Sequence, residues 1–318
     1  MRISRYLQSA LCAILILVAV APAQAQEHLV FTPHWRAQAQ FAGYYAAKEM
    51  GFYSDVGLDV RIEHPSATEP PLERIRSGKS QIVTMQLCQA MDVIENGIPV
   101  VNILQTSMNS ATLIIFKDKD ALQHKEGLRI GTWVNFDAMT YCMSRKELLG
   151  VDWIHSVATV SFFLKGGVDA ITCMSYNEFN QLIQSGMEFS EGQVYRLADH
   201  GYNIQEDGVY MTRDYYRSHK DQARRFAQAS RRGWEWVLEH QEEALDIVMR
   251  YAHDDAVGTN RTMQRLMLQE ILQQQIDKES GEREFRLRRD MVEKASSLMV
   301  ENGLLKEEIK YEQLIDAL

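Results

Sequence analysis

Short apolar runs alternate with stretches of helical periodicity over the first part of the chain. Apolar runs bounded by turn residues predict strands, and they span 28–32, 58–62, 81–85 and 100–104. Apolar residues at three- and four-residue steps predict helices, over 40–50, 68–77 and 89–96. Strands and helices that alternate at this spacing form right-handed β-α-β units, so we expect a mostly parallel sheet covered by helices on both faces.

A second series of the same kind follows. Its strands are predicted over 113–116, 128–132, 168–173 and 208–211, and its helices over 137–149 and 176–185. No Gly/Pro/Ser-rich linker separates the two series. We therefore expect two lobes joined by short crossings near 105–112 and 204–209.

The chain becomes helical from Asp221 onward. One apolar face is formed by Ala223, Phe226, Ala227, Ser230, Gly233 and Trp234. The predicted fold class is therefore α/β, with two lobes and a helical C-terminal region. We divide the chain into lobe 1 (26–108 and 208–318) and lobe 2 (109–207).

The N-terminus has the pattern of a secretory signal. Arg2 and Arg5 precede an apolar run over 10–20, and Ala23-Gln24-Ala25 has the small-x-small pattern of a cleavage site. The apolar run is too short for a spanning helix. We therefore expect residues 1–25 to be removed, and the mature chain to begin at Gln26 in the periplasm.

Charge and cysteine content narrow the possible functions. A net charge of −9 argues against a nucleic-acid partner, which would require a basic face. Cys88, Cys142 and Cys173 remain after the signal, and their spacing matches no metal motif, so we interpret them as small buried hydrophobic residues. The sequence leaves open whether Cys142 and Cys173 form a disulfide.

Motifs for catalysis or cofactor binding are missing from the sequence. It contains no G-x-S-x-G, no P-loop, no H-E-x-x-H and no G-x-G-x-x-G. We therefore predict neither catalytic residues nor a metal or cofactor.

Polar and aromatic residues instead follow the ends of several predicted strands, where ligands bind in open parallel sheets. An aromatic ring offers a stacking face, and an amide or carboxylate offers orienting hydrogen bonds. The predicted ligand-binding residues are Trp35, Gln38, Gln86, Trp133, Asn135, Asp137, Tyr176, Asn177 and Glu178. Taken singly, each could instead cap or pack a helix.

Several stretches together resemble the periplasmic solute-binding proteins related to thiamine-pyrimidine biosynthesis and pyrimidine-precursor uptake. The similar stretches lie between about 30 and about 250, and they are WRAQAQFAGYYAAKEMGFYSDVGLDV, SGKSQIVTMQ, LRIGTW, GGVDAITCMSYNEFNQL and RRGWEWVLEHQEEAL. The resemblance implies a type II two-lobed binding protein that captures a small heteroaromatic ligand for an ABC importer. It places Trp35 and Gln38 in the first ligand loop, with Trp133, Tyr176 and Glu178 in the second lobe.

Two other roles follow from the same resemblance. The chain could sense a ligand and report to a membrane signalling partner, because the stretch from Gln38 to Tyr45 is similar to binding domains fused to such proteins. A pyrimidine-synthesis enzyme is less consistent with the sequence, because Phe41 stands where that branch has its histidine and no cysteine cluster is present. We expect a monomeric binding protein whose partners are a small ligand and an inner-membrane permease.

Overall fold

The computed structural model describes residues 26–66, 68–134, 136–155 and 159–315. The predicted signal and Asn135 lie outside the described residues. The strands are β1 (Glu27–Thr32), β2 (Leu58–Ile62), β3 (Ile82–Gln86), β4 (Val100–Gln105), β5 (Thr112–Phe116), β6 (Arg129–Thr132), β7 (Asp152–His155), β8 (Ala170–Met174), β9 (Val194–Arg196) and β10 (Asp207–Thr212).

Helices flank these strands and continue to the C-terminal part of the chain. They are α1 (Ala42–Glu49), α2 (Phe52–Asp55), α3 (Pro71–Arg76), α4 (Leu87–Glu95), α5 (Ala138–Ser144), α6 (Ser161–Leu164), α7 (Glu178–Gln184), α8 (Arg213–Ser218), α9 (Lys220–Glu239), α10 (Gln241–Asp254), α11 (Arg261–Gln274), α12 (Arg289–Glu301) and α13 (Tyr311–Leu314). Within the described residues, no helix is both long and apolar enough to cross a membrane.

The strands form two five-stranded sheets within the described residues. Their orders are β2-β1-β3-β10-β4 and β7-β6-β8-β5-β9. In each sheet four strands run in one direction and one runs against them, namely β10 in the first sheet and β5 in the second. The reversed strands are those that the chain enters as it crosses between the sheets. The predicted two-lobed architecture of mostly parallel sheets is confirmed.

Two strands are absent from the sequence prediction. Both β7 and β9 lie at an edge of the second sheet. Their residues are partly or fully exposed, because an edge strand in this sheet is covered incompletely. They therefore lack the apolar run by which the inner strands were predicted.

The core of the first lobe is formed where α9 packs closely across α1. A Cβ atom added to Gly233 would lie 2.0 Å from the backbone oxygen of Gly43, so only hydrogen fits at that position. Trp234 is fully buried beside Tyr44, with the two rings edge to face at 5.8 Å. The predicted apolar face of this helix is confirmed.

The C-terminal helices contact both lobes. Gln264 on α11 accepts a hydrogen bond from the backbone N–H of Ala39 at 2.6 Å, and Glu270 on the same helix accepts one from Ser175 Oγ at 2.7 Å. Further along, α12 packs against α4 of the first lobe and α5 of the second. This region therefore spans the junction between the sheets.

The three cysteines of the described chain are buried thiols without a disulfide. Burial raises the pKa of Cys88 and Cys173 well above the ordinary thiol value, and it raises the pKa of Cys142 to about 12. Buried thiols with raised pKa values are poor nucleophiles, which agrees with the interpretation of these residues as small hydrophobic residues.

Candidate functional site between the two sheets

A small cavity lies where the chain crosses between the sheets. Gln40, from the short turn before α1, and Tyr176, after β8, line it from the two lobes, together with Glu206 and Asp207 of the second crossing. The other lining residues are Thr106, Ser107, Ala111, Trp234, Ile271, Gln274 and Gln275. Its volume is about 20 Å³, taken as the space that the centre of a water molecule can occupy. This is room for roughly one or two waters.

Gln40 joins the two lobes across this cavity. Its Nε2 donates to Asp207 Oδ2 at 2.5 Å and to the Tyr176 hydroxyl oxygen at 3.1 Å. Gln38 Nε2 donates to Gln40 Oε1 at 2.6 Å, so both the oxygen and the nitrogen of the Gln40 amide have hydrogen-bond partners. Both glutamines are buried. The predicted residue Gln38 therefore lies behind the cavity and orients Gln40, which lines it.

His34 lies beside the same carboxylate. Its backbone N–H donates to Thr84 Oγ1 at 2.7 Å, and its ring Nδ1 lies 2.7 Å from the same oxygen. The ring Nε2 lies 3.7 Å from Asp207 Oδ1, and the ring meets Phe41 edge to face at 5.6 Å. Asp207 thus has the His34 imidazole near one carboxylate oxygen and the Gln40 amide bonded to the other.

Glu206 points into a ring of donors at the start of the second lobe. Its carboxyl accepts hydrogen bonds from Ser110 Oγ at 2.5 Å, from Ala111 N at 3.0 Å and from Thr112 Oγ1 at 3.0 Å. Burial raises the pKa of Glu206 to about 8, although the hydrogen bonds from Ser110 and Ala111 act in the opposite direction. Near neutral pH this carboxyl is therefore mainly protonated.

Two predicted residues meet in the second lobe because they follow neighbouring strands. Trp133 Nε1 donates to Glu178 Oε1 at 3.3 Å, and the backbone N–H of Met174 donates to Glu178 Oε2 at 2.9 Å. Glu178 is buried, and this burial raises the pKa of its carboxyl. Asp137 is buried less completely and caps α5 by accepting from Thr140 N at 2.8 Å. Trp133 and Glu178 form a hydrogen-bonded pair in the second lobe, but neither of them lines the cavity, and Asp137 does not line it either.

The remaining predicted residues have local partners. Trp35 is 44% exposed, and its carbonyl oxygen accepts a hydrogen bond from His64 at 2.7 Å. Gln86 caps α4 in a reciprocal arrangement with Gln89. Asn177 Oδ1 accepts from the side chain of Gln181 at 3.0 Å. Among the described predicted residues, Tyr176 is the one that lines the cavity, and a ligand-binding role for the others stays a prediction.

Several cavity residues were missed by the strand-end argument. Glu206 directly precedes β10 and Asp207 is the first residue of that strand, so neither follows a strand. Their sequence signal is a pair of acids directly before the apolar run over 208–211, within a predicted crossing. Gln40 lies two residues beyond the predicted Gln38. Gln275 follows α11, and we find no sequence signal for it, because its position depends on where α11 packs.

Comparison with known proteins agrees with this architecture. The sequence profile of the family described as "NMT1/THI5 like" matches residues 38–244. The chain is 24% identical over 235 residues to the formylaminopyrimidine-binding protein of Halalkalibacterium halodurans, which covers 68% of each protein. It is also 24% identical to the 4-amino-5-hydroxymethyl-2-methylpyrimidine phosphate synthase of Candida albicans, over 68% of this chain and 69% of that protein.

A solved structure shows the same fold at low sequence identity. The periplasmic aliphatic sulphonate binding protein SsuA of Escherichia coli superposes with a TM-score of 0.65 at 12% identity, over 91% of this chain and 97% of that chain. The fold is therefore that of the two-lobed periplasmic binding proteins. Because the family profile matches more than half of the 318 residues, the chain belongs to the NMT1/THI5-like family.

Proposed function

We propose that this chain is an exported solute-binding protein that captures a small, pyrimidine-like ligand between its two lobes and delivers it to an ABC importer. The observation that carries the proposal is the interlobe cavity, to which both lobes and a crossing contribute polar side chains. The name of the formylaminopyrimidine-binding relative supports this ligand class. The predicted signal over 1–25 supports export.

The chemistry of the lining favours a neutral or amino-bearing ligand over an anion. The lining includes the carboxylate of Asp207 and the neutral acid of Glu206, and, among the described residues, neither lysine nor arginine. A carboxylate accepts hydrogen bonds and repels negative charge, whereas anion sites are built from cations and backbone N–H groups. We therefore expect discrimination against sulfonates, although the fold is shared with a sulphonate-binding protein.

Ligand entry requires the lobes to separate, because an aromatic ring exceeds the present cavity. We infer that 26–108 with 208–318 and 109–207 move as two lobes about the paired crossings. Opening would break the hydrogen bond between Gln40 and Tyr176. X-ray scattering should then show a smaller radius of gyration once a tightly bound ligand is added, and an unchanged radius with a bound ligand contradicts the hinge.

The exposed Trp35 and the half-buried Trp133 belong to different lobes. We include them in the proposal as stacking faces that a flat ligand meets while the lobes are open. In this arrangement Glu178, which accepts from Trp133, holds a polar edge of the second-lobe face.

Calorimetry with 4-amino-5-hydroxymethyl-2-methylpyrimidine and with ethanesulfonate tests the proposal. The wild type should bind the pyrimidine saturably and ignore the sulfonate. Asp207→Asn keeps the shape and removes the charge, so it should weaken binding by roughly tenfold to a hundredfold, as expected for the loss of a charged hydrogen bond. Asp254→Asn makes the same change at an exposed carboxyl and should have no effect. Binding of the sulfonate alone refutes the proposed ligand class.

A second candidate function follows from the relative that is named a synthase. Expression of the chain in cells that lack their own synthase for this pyrimidine, grown without added pyrimidine, separates the two functions. Growth supports an enzyme that forms the pyrimidine, whereas a binding protein leaves the cells dependent on added pyrimidine. The described cavity lacks a lysine or cysteine nucleophile, which favours the binding role.

A further inference from the structure

The cavity has a third wall that lies outside the part of the chain matched by the family profile. Ile271, Gln274 and Gln275 line it, whereas the match ends at residue 244. Two hydrogen bonds from the first crossing hold this wall in place. The backbone N–H of Met108 donates to the Gln274 carbonyl oxygen at 2.8 Å, and Asn109 Nδ2 donates to the carbonyl oxygen of Ile276 at 2.7 Å.

Gln275 in this wall has an unpaired side chain. The residue is 1% exposed, and neither its Oε1 nor its Nε2 has a hydrogen-bond partner among the described residues. Trp234, on the first-lobe side of the same cavity, has an indole N–H that is also buried and unpaired. Buried polar groups in native proteins are almost always paired, so an unpaired amide beside a cavity indicates that an occupant supplies the partners.

We propose that Gln275 is a specificity-determining residue that contacts the ligand directly. This inference rests on the proposed function. A glutamine amide presents one acceptor and one donor side by side, and it pairs with an amino group next to a ring nitrogen, as it does with adenine. Gln275 therefore selects pyrimidines that carry an amino group beside a ring nitrogen.

The position of Gln275 gives this contact a second consequence. The helix that precedes it, α11, already bonds to Ala39 in one lobe and to Ser175 in the other. A ligand held by Gln275 and by Asp207 would therefore contact both the C-terminal wall and the crossing. The competing explanation is a structural water that pairs the amide and takes no part in recognition.

Gln275→Met tests the proposal, because methionine keeps the length of the side chain and removes both polar atoms. Without ligand, the melting temperature should stay level or rise, since an unpaired buried amide is lost. The affinity for 4-amino-5-hydroxymethyl-2-methylpyrimidine should fall at least tenfold. Gln273→Met, two residues earlier and exposed, is the matched control and should change neither value.

A second ligand makes the result independent of stability. The wild type should prefer the amino-pyrimidine over 5-hydroxymethyl-2-methylpyrimidine, which lacks the amino group, and Gln275→Met should lose this preference. Unchanged affinity and preference in the variant overturn the inference while the proposed function stands. A lower melting temperature with unchanged affinity also overturns it, in favour of a structural water. If the wild type binds neither pyrimidine, the proposed function and this inference both fail.

Discussion

Replacement of Glu206 by glutamine should make the protein less sensitive to alkaline pH. The carboxyl is buried, and its pKa is raised from 4.5 to about 8. Between these two pH values the folded protein keeps the proton that the unfolded chain has lost. The stability that the buried Glu206 proton contributes is therefore fully present below pH 4.5, and it is lost as the pH rises through about 8. The glutamine variant has no such proton to lose.

The magnitude follows from the displaced pKa. Each pH unit of displacement corresponds to about 1.4 kcal/mol. The difference in unfolding free energy between Glu206→Gln and the wild type should therefore be about 4 kcal/mol more favourable to the variant at pH 9 than at pH 5. Glutamine also fits the local hydrogen bonds. Its carbonyl can accept from Ala111 N–H. Its amide can donate to the hydroxyl oxygens of Ser110 and Thr112, because a hydroxyl can rotate from donating to accepting.

Urea unfolding followed by tryptophan fluorescence measures this difference at several pH values. If the free energy of unfolding falls with urea concentration at the same slope for both proteins, the same unfolding transition is being compared. Glu243→Gln, at an exposed carboxyl on α10, provides the control and should follow the wild type at every pH. Parallel stability curves for the wild type and Glu206→Gln from pH 5 to pH 9 would refute the reasoning, because they would show that Glu206 keeps its ordinary pKa in the fold.

Three further predictions concern packing, the second-lobe residues and export. Gly233→Ala places a methyl group 2.0 Å from a backbone oxygen of α1 and should cost about 1–3 kcal/mol or more, whereas Gly258→Ala meets nothing within 4 Å; equal melting temperatures for the two contradict the close packing. Trp133→Ala should weaken pyrimidine binding roughly tenfold to a hundredfold, and Glu178→Gln should weaken binding of amino-bearing pyrimidines most; calorimetry that finds both affinities unchanged removes these residues from the site. N-terminal sequencing of the exported protein should start near Gln26, and an intact first methionine on a cytoplasmic protein would exclude the export proposal.

The inner elements of the fold could be predicted because their buried faces require apolar residues at regular intervals in the sequence. The prediction for 58–62 matches β2, and the apolar face of α9 was read from its three- and four-residue steps. The edge strands β7 and β9 have no such apolar pattern, since half-exposed residues need not be apolar. Predicted helix ends were also too long, as for α5, which ends at Ser144 rather than Leu149.

Some residues of the candidate site could be located from the local sequence pattern, and others only from the tertiary structure. Residues that follow a strand can be located from the pattern alone, and Tyr176 was found in this way because the loop after β8 faces the junction. Asp207 and Gln275 could not be found from local patterns, because each reaches the cavity through contacts with residues far away in the chain. Asp207 meets Gln40, 167 residues earlier, only when the second crossing returns to the first sheet. The raised pKa of Glu206 likewise arises from burial by both lobes, and a charge loses its hydration only once the tertiary structure has closed around it.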